Sequence, residues 1–334
     1  MDRPIRWGIL GTGRIAHDFA AGLRDAPGAV LAAVGSRSKE SAQAFADEFG
    51  VQSGAKAGIA AYGSYGELAL APDIDIIYIG TPHPMHAENA VLALRGGKAV
   101  LCEKPFAMNR REAGEMVALA RAKNLFLMEA MWTRFMPALA EVKRIIASGE
   151  IGTVTQVHAD FGFSATQDPE HRVNKLELGG GALLDLGIYP LSIACALLGK
   201  VSAVQAQAIM GETGVDLSTA FTMKHAGGTL SVCSCSLRAR SASELVVSGT
   251  EGRVRMHRMF HLATGVTVDL ADGSTRTVPT PYLGNGYTHE AIEAGRCLRE
   301  GLIEHPLMTH EETLGLMALL DTIRQQIGLR YPSD

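Results

Sequence analysis

Ile5-Arg6-Trp7-Gly8-Ile9-Leu10-Gly11-Thr12-Gly13-Arg14-Ile15-Ala16, near the start of a 334-residue chain, decides the fold. Ile5 to Leu10 is a short apolar strand that passes at once into G-x-G-x-x-A, and a helix pattern then runs to about Arg24. Gly11 permits the tight turn, Gly13 lets a pyrophosphate approach the backbone, and Ala16 lets the helix pack close to the strand. The helix N-terminus, with Thr12 before it and Arg14 and Ile15 in its first turn, favours phosphate charge. Val30 to Gly35 follows as the next strand, at the distance a βαβ unit needs. The stretch therefore predicts a parallel α/β domain that binds a dinucleotide.

The end of the second strand reads on which dinucleotide. An Asp or Glu there would bind the ribose 2′-hydroxyl of NAD. This chain has Gly35-Ser36-Arg37-Ser38 instead. An arginine pairs with a 2′-phosphate and stacks on adenine, and serines donate to phosphate oxygens. NADP(H) is expected over NAD(H), against the plainer reading of Arg37 as a solvated loop charge.

Two further strand ends point to the same crevice. Ile74 to Ile79 is a strand that ends in Gly80-Thr81-Pro82-His83-Pro84-Met85-His86, beside the nicotinamide half of the cofactor. His83 and His86 lack a nearby carboxylate or third histidine, so no metal is expected. His86 reads as a helix start and His83 as a cofactor-lining residue. Ala99 to Cys102 is a strand buried on both faces, stopped by Glu103-Lys104-Pro105. Proline cannot continue the ladder and holds Lys104 extended at the carboxyl edge, where open α/β sheets bind ligands. Segment 54–70 is weakly patterned, and its elements are not legible.

Beyond Leu125 to Ala130, the cluster Trp132-Thr133-Arg134-Phe135 reads equally as core or as substrate contacts. The pattern then changes. Gly152 to Gly162 alternates, and strand-like runs fill Val201 to Val278 without helices between them, as in an antiparallel sheet. Residues 1–125 are expected as the dinucleotide domain and 126–334 as a substrate-binding and dimerisation domain. Between the sheets lies Gly179-Gly180-Gly181-Ala182-Leu183-Leu184-Asp185-Leu186-Gly187-Ile188-Tyr189-Pro190. Asp185 and Tyr189, four apart, would share one helical face. They suit a structural hydrogen-bonding pair. They also suit chemistry, since an ammonium such as that of Lys104 would lower the phenol from its ordinary pKa of about 10.

Composition excludes other classes. Net charge is −4, so there is no basic footprint for nucleic acid or an anionic membrane. Met1 to Arg6 is charged and leads straight into a strand, so no signal peptide is expected. Gly179 to Gly199 is apolar, but Asp185 and Pro190 mark it as a buried helix rather than a span. Five cysteines, odd in number and set in apolar runs, suit small buried hydrophobes in a reducing compartment. The Cys233-x-Cys235 pair reads as structural. Cytoplasmic location is the expectation.

Taken together, these residues resemble the glucose–fructose oxidoreductase/inositol dehydrogenase/MocA family. The resemblance covers Ile5 to about Gly199 by motif and the later sheet by pattern. It carries the phosphate loop to Gly11, Gly13 and Ala16, a second cofactor motif to Thr81-Pro82-His83 and His86, and the signature to Glu103-Lys104-Pro105, whose lysine is catalytic in the family. Many sugar- and inositol-oxidising members have Asp-x-x-x-His where this chain has Asp185-x-x-x-Tyr189. The tyrosine form, with Met128 to Phe135, is most similar to the dimeric dihydrodiol dehydrogenase branch, which includes NADP-dependent D-xylose and other aldose 1-dehydrogenases.

The resemblance implies a Rossmann domain joined to an α/β domain with a large, mostly antiparallel, open-faced sheet, paired as a homodimer through that face. It implies hydride transfer between the carbinol of a sugar or cyclic diol and NADP. Tyr189 would be the general base, Lys104 would hold the substrate oxygen, and Asp185 would orient one or the other. A keto-sugar reductase, an inositol dehydrogenase and a non-catalytic NADP(H) sensor are the alternatives, though a sensor needs no acid/base pair.

Overall fold

The chain divides into two units, each described here by itself; the computed structural model describes residues 3–53 and 58–334. The first unit runs to Trp132 and takes in Leu283–Leu314, and the second comprises Thr133–Tyr282 and Gly315–Asp334. The expected division at 125/126 is corrected in two respects. The strand after residue 125 completes the first sheet, and a later segment of chain returns to the first unit.

In the first unit β1 (Ile5–Leu10), β2 (Ala29–Gly35), β3 (Ala60–Tyr62), β4 (Ile76–Ile79), β5 (Ala99–Glu103) and β6 (Leu127–Ala130) form one sheet, ordered β3-β2-β1-β4-β5-β6. All of its pairings are parallel. The connections include α1 (Arg14–Arg24), α2 (Lys39–Ser53), α3 (Tyr65–Leu70), α4 (His86–Arg95) and α5 (Arg110–Lys123). Strand order reverses between β1 and β4, which opens a crevice at the carboxyl edge. Every residue of β4 and β5 is buried, which is why these strands read as continuous apolar runs. Phe19 of α1 stacks on Tyr78 at 3.7 Å between ring centres and meets Trp7 at 5.4 Å.

In the illegible segment 54–70, residues 54–57 lie outside the described residues, and the remainder forms β3 and α3. Ser64 caps α3 by accepting the Glu67 N–H at 3.2 Å, and Glu67 Oε2 accepts the Gly63 N–H at 3.0 Å. This is a capping box displaced by one residue.

In the second unit, α6 (Pro137–Ser148), β7 (Val154–Gly162) and α7 (Ile188–Leu198) precede β8 (Val201–Met210), β9 (Asp216–His225), β10 (Leu230–Ser236), β11 (Leu245–Gly249), β12 (Gly252–Met256), β13 (Gly265–Leu270) and β14 (Thr275–Pro279). Eight strands make one sheet, ordered β14-β13-β12-β11-β7-β10-β9-β8. It is antiparallel except where β7 meets β10. Helix α6 packs on β12 and β13, and α7 packs on β7 and β10. Along β9, Phe221 and Met223 point inward while Ala220, Thr222 and Lys224 point out, so one face is covered and the other is open.

Two helices close the chain, α8 (Tyr287–Glu300) in the first unit and α9 (His310–Ile327), which runs from the first unit into the second. Leu176–Leu198 is apolar enough by composition to cross a membrane, yet 78% of its most apolar window is buried inside the protein. Among the described residues no disulfide joins the cysteines, and burial pushes the Cys102, Cys233 and Cys235 thiols up, which leaves them inert.

Candidate active site

The carboxyl edge of the first sheet is shaped for a dinucleotide. Gly11 has φ +105°, and a Cβ there would lie 3.0 Å from the Gly80 carbonyl oxygen, so only glycine lets the β1 and β4 ends approach this closely. Gly13 faces open space: a Cβ on it would meet nothing within 4 Å. No side chain caps α1 at Gly13, which leaves its first-turn N–H groups for an anion. Thr12 Oγ1 and Ser36 Oγ share a hydrogen bond of 3.2 Å, joining the phosphate loop to the end of β2. Ile15 lies half-buried beneath the turn, while Arg14 is exposed, its Nε 3.9 Å from Asp18. Arg37 is exposed and makes no hydrogen bond or ion pair with any described residue. Ser38 is otherwise engaged, accepting the Ser41 N–H at the start of α2.

His86 draws the two strand-end motifs together. At the first residue of α4, its Nε2 lies 2.8 Å from the Thr81 carbonyl and its Nδ1 2.8 Å from the Pro105 carbonyl. Burial lowers its pKa, while the two carbonyls favour the doubly protonated ring. Thr81 Oγ1 also accepts from Asn89, Pro82 opens a short 3-10 turn, and His83 on that turn is buried with its ring 5.7 Å from that of His86. The Thr81-Pro82 and Lys104-Pro105 motifs are thus joined through one imidazole.

Glu103, a candidate cofactor-binding residue, has its carboxylate engaged inside the first unit. Oε1 accepts the Tyr78 hydroxyl at 2.6 Å and Oε2 the Lys104 main-chain N–H at 3.1 Å. Lys104 itself is half-buried at the end of β5, close enough to His86 for its charge to oppose protonation of the imidazole. Trp132 is buried against Tyr287 at 5.1 Å.

The candidates in the second unit gather around α7. Arg134 was weighed as a substrate contact. It is only 3% exposed and its Nε donates to Ser192 of α7 at 2.7 Å, so it acts as a strut for that helix. Phe135 beside it is half-buried. Asp185 lies in one turn of π-helix, Leu183–Gly187, where the Ile188 N–H reaches the Leu183 carbonyl five residues back. The simple four-residue face expected for Asp185 and Tyr189 is therefore widened, as π turns do at functional sites. Asp185 pairs with Arg172 at 3.4 Å. Tyr189, 6% exposed, meets the edge of Phe161 at 5.3 Å, and Phe161 stacks on His261 at 4.3 Å. Phe161 also lines a cavity of about 460 Å³, with Gly162, Phe163, Arg240, Ser243, Arg258 and Met259 as the other walls.

Several of these residues escaped sequence reading. Tyr78 carried a signal: a lone hydroxyl in an aliphatic buried strand must find a partner. Arg172, His261 and Phe161 had none, because their roles come from contacts with other chain segments. Among the described residues no group of His, Cys, Asp and Glu could hold a metal ion.

The family model for the oxidoreductase family with an NAD-binding Rossmann fold matches residues 5–131, and the GFO/IDH/MocA C-terminal domain model matches residues 139–255. Trans-1,2-dihydrobenzene-1,2-diol dehydrogenases resemble the whole chain: the Danio rerio protein is 38% identical over 340 residues, covering 99% of both chains. The Bos taurus protein is 36% identical over 343 residues, again covering 99% of both. Among solved structures, the aldose-aldose oxidoreductase of Caulobacter crescentus complexed with glycerol superposes with TM-score 0.86 at 25% identity, covering 97% of both chains. A 3-ketoreductase from Actinomadura kijaniata, in complex with NADP and TDP-benzene, gives TM-score 0.84 at 27% identity over 97% of this chain and 98% of that one. The phosphate loop, the Glu-Lys-Pro strand end and the open-faced second sheet thus occur in a chain matched from end to end, which belongs to the Gfo/Idh/MocA family of oxidoreductases.

Proposed function

We propose that this chain is an NADP-dependent dehydrogenase that oxidises a carbinol of a cyclic trans-diol. The cavity lined by Phe161, whose ring lies 5.3 Å from that of Tyr189, carries this reading. Phe161, Phe163 and Met259 make part of its lining aromatic and apolar. A sugar requires polar partners around the ring, whereas a trans-dihydrodiol has hydroxyls on two adjacent carbons only and an apolar remainder. The dihydrodiol dehydrogenases that resemble the whole chain support the same substrate class. An aldose is the second reading, favoured by Arg240, Ser243 and Arg258 among the lining residues and by the aldose-aldose oxidoreductase of similar fold.

NADP is preferred on the Ser36-Arg37 pair, and the 3-ketoreductase of like fold holds that cofactor. The residues that would hold it are Gly11 to Ile15, Ser36, Arg37, Thr81, Pro82, His83 and His86. NADP held there would supply the hydride acceptor. Tyr189 takes the hydroxyl proton as general base, and Lys104 holds the substrate oxygen with its ammonium. Asp185, tied to Arg172, orients the segment that leads to Tyr189. Trp132 and Phe135 complete the substrate contacts. A homodimer through the open sheet face and a cytoplasmic location, in keeping with five cysteines that form no disulfide, belong to the same proposal.

The test is NADP reduction by purified protein against trans-dihydrodiols, aldoses and inositols, repeated with the Tyr189→Phe variant. A trans-dihydrodiol should turn over fastest. The variant should keep NADPH affinity and lose ~100-fold or more in kcat, the usual contribution of one positioned acid/base. Turnover of aldoses alone would replace the diol reading with the sugar one, and undiminished kcat would remove Tyr189 from the chemistry.

A further inference from the structure

We infer that Glu290 is a neutral carboxylic acid whose proton is donated to Glu103, and that it thereby positions the strand end that carries Lys104. The reasoning starts from burial. Glu290 is 0% exposed, and neither of its carboxyl oxygens accepts a hydrogen bond from any described residue. An ionised carboxylate buried with no donor is too costly to keep, so the group carries a proton. A buried O–H in turn requires an acceptor.

Glu103 is assigned as that acceptor: its charge bears on Glu290, and both carboxyls bear on Tyr78, whose hydroxyl Glu103 accepts at 2.6 Å. The two carboxyls are not equivalent. Glu103 takes the Tyr78 hydroxyl on one oxygen and the Lys104 N–H on the other, and these two bonds stabilise its ionised form. Glu290 receives nothing comparable. Two carboxylates at close range do not both ionise, so the single negative charge resides on Glu103 and the proton on Glu290. The other groups in reach do not alter this assignment. From β4, Tyr78 keeps its proton because burial and both carboxyls push its pKa up. From β5, the Cys102 thiol is held neutral by burial, and on α8 itself Tyr287 is a further phenol. The N-terminal position of Glu290 on α8 favours the anion, but weakly beside the cost of burial.

The helix delivers this acid rigidly. Asn285 Nδ2 donates to the Asp18 carbonyl at 2.6 Å and Thr288 Oγ1 to the Gly22 carbonyl at 2.8 Å, which fastens the start of α8 to α1, the helix of the phosphate loop. A row of groups, Glu290 to Glu103 to the Lys104 main chain, then links α8 to the edge where the lysine stands. Glu290 is a positioning residue, and its effect on turnover rests on the role given to Lys104 above.

Two measurements test this. At neutral pH the infrared difference spectrum of wild type minus Glu290→Gln should show the carbonyl stretch of a protonated, buried carboxylic acid. Absence of that band overturns the assignment whatever the substrate proves to be. In steady-state kinetics Glu290→Gln, which keeps an N–H donor, should stay within ~2-fold of wild type. Glu290→Leu, which fills the space without a donor, should lose ~10-fold in kcat with little change in KM for NADP, as when a hydrogen bond to a charged group is removed. It should also shift the pH profile of kcat; Glu290→Met takes its place if thermal melting shows Leu unfolded. Wild-type kcat and pH profile in the apolar variant overturn the positioning role. A wild-type protein inactive on every substrate counts against the dehydrogenase reading and leaves the infrared result to decide the state of Glu290.

Discussion

Asp216 shows how one buried carboxyl can govern a helix start. It is fully buried on β9, and its Oδ2 accepts the Leu183 N–H at 2.8 Å and the Thr219 hydroxyl at 2.6 Å, holding the π turn that leads to Tyr189. Burial pushes its pKa up to about 7, against the bonds that lower it. The folded pKa lies above the unfolded one, so between about pH 4 and 7 the unfolded chain ionises first and stability falls as pH rises, by on the order of 4 kcal/mol in all. Asp216→Asn keeps the acceptor without the charge. Its melting temperature should vary less steeply than wild type across that window, and parallel curves would show that Asp216 does not drive the slope. Arg37 is the second residue whose role reduces to one charge. Exposed and unengaged at the end of β2, it should give Arg37→Ala a KM for NADP raised ~10-fold or more with KM for NAD little changed, the loss expected for one charge-assisted contact. Equal effects on both cofactors would leave the 2′-phosphate without its partner.

At the scale of elements, most boundaries were legible because period and caps agree. The helix pattern from Arg110 to Lys123 is α5 itself, capped by Asn109, and the apolar run Ala99 to Cys102 is β5. Segment 54–70 was not legible, because Ala, Gly and Tyr leave no period. Its one signal was Ser64-x-x-Glu67, the capping pair that starts α3. Ser64→Ala should cost about 1 kcal/mol in a urea titration, the usual value of a lost N-cap. No change would mean that α3 is held by packing alone, through Leu68 against Gly35 and Gly8. The π turn was illegible for the opposite reason. An apolar helical pattern is the same for α and π spacing, and the choice is made by where Asp216 and Arg172 hold the chain.

For the whole molecule, the second sheet has one face under α6 and α7 and one open. On the open face stand Ile209 at 55%, Leu230 at 49% and Val232 at 37% exposure, across β8 and β10. Apolar side chains in that number on a flat sheet are what a two-fold interface needs. Light scattering on a sizing column should give a dimer mass for wild type and a monomer for Val232→Lys combined with Ile209→Lys, with melting little changed where the first unit is concerned. A monomeric wild type at micromolar concentration would remove the dimer from the proposal. The division into units was misjudged at 125/126 because sequence order hides two facts: β6 pairs with β5, and Leu283–Leu314 comes back to the first unit.

The sequence by itself determined the dinucleotide loop, the order of the parallel strands' motifs, the change to an antiparallel sheet and the candidate Lys104 and Tyr189. Each of these is written locally, in period, in glycine placement or in a proline that ends a strand. Only the tertiary structure decided which groups those residues lean on. Glu103 turned out to hold Tyr78 and Lys104, Arg134 to brace α7, and Glu290 to be fully buried with no donor to its carboxyl among the described residues. Hydrogen bonds and burial are settled between segments that a linear reading sets apart, and burial determines whether a carboxyl is an ion, an acid or a strut.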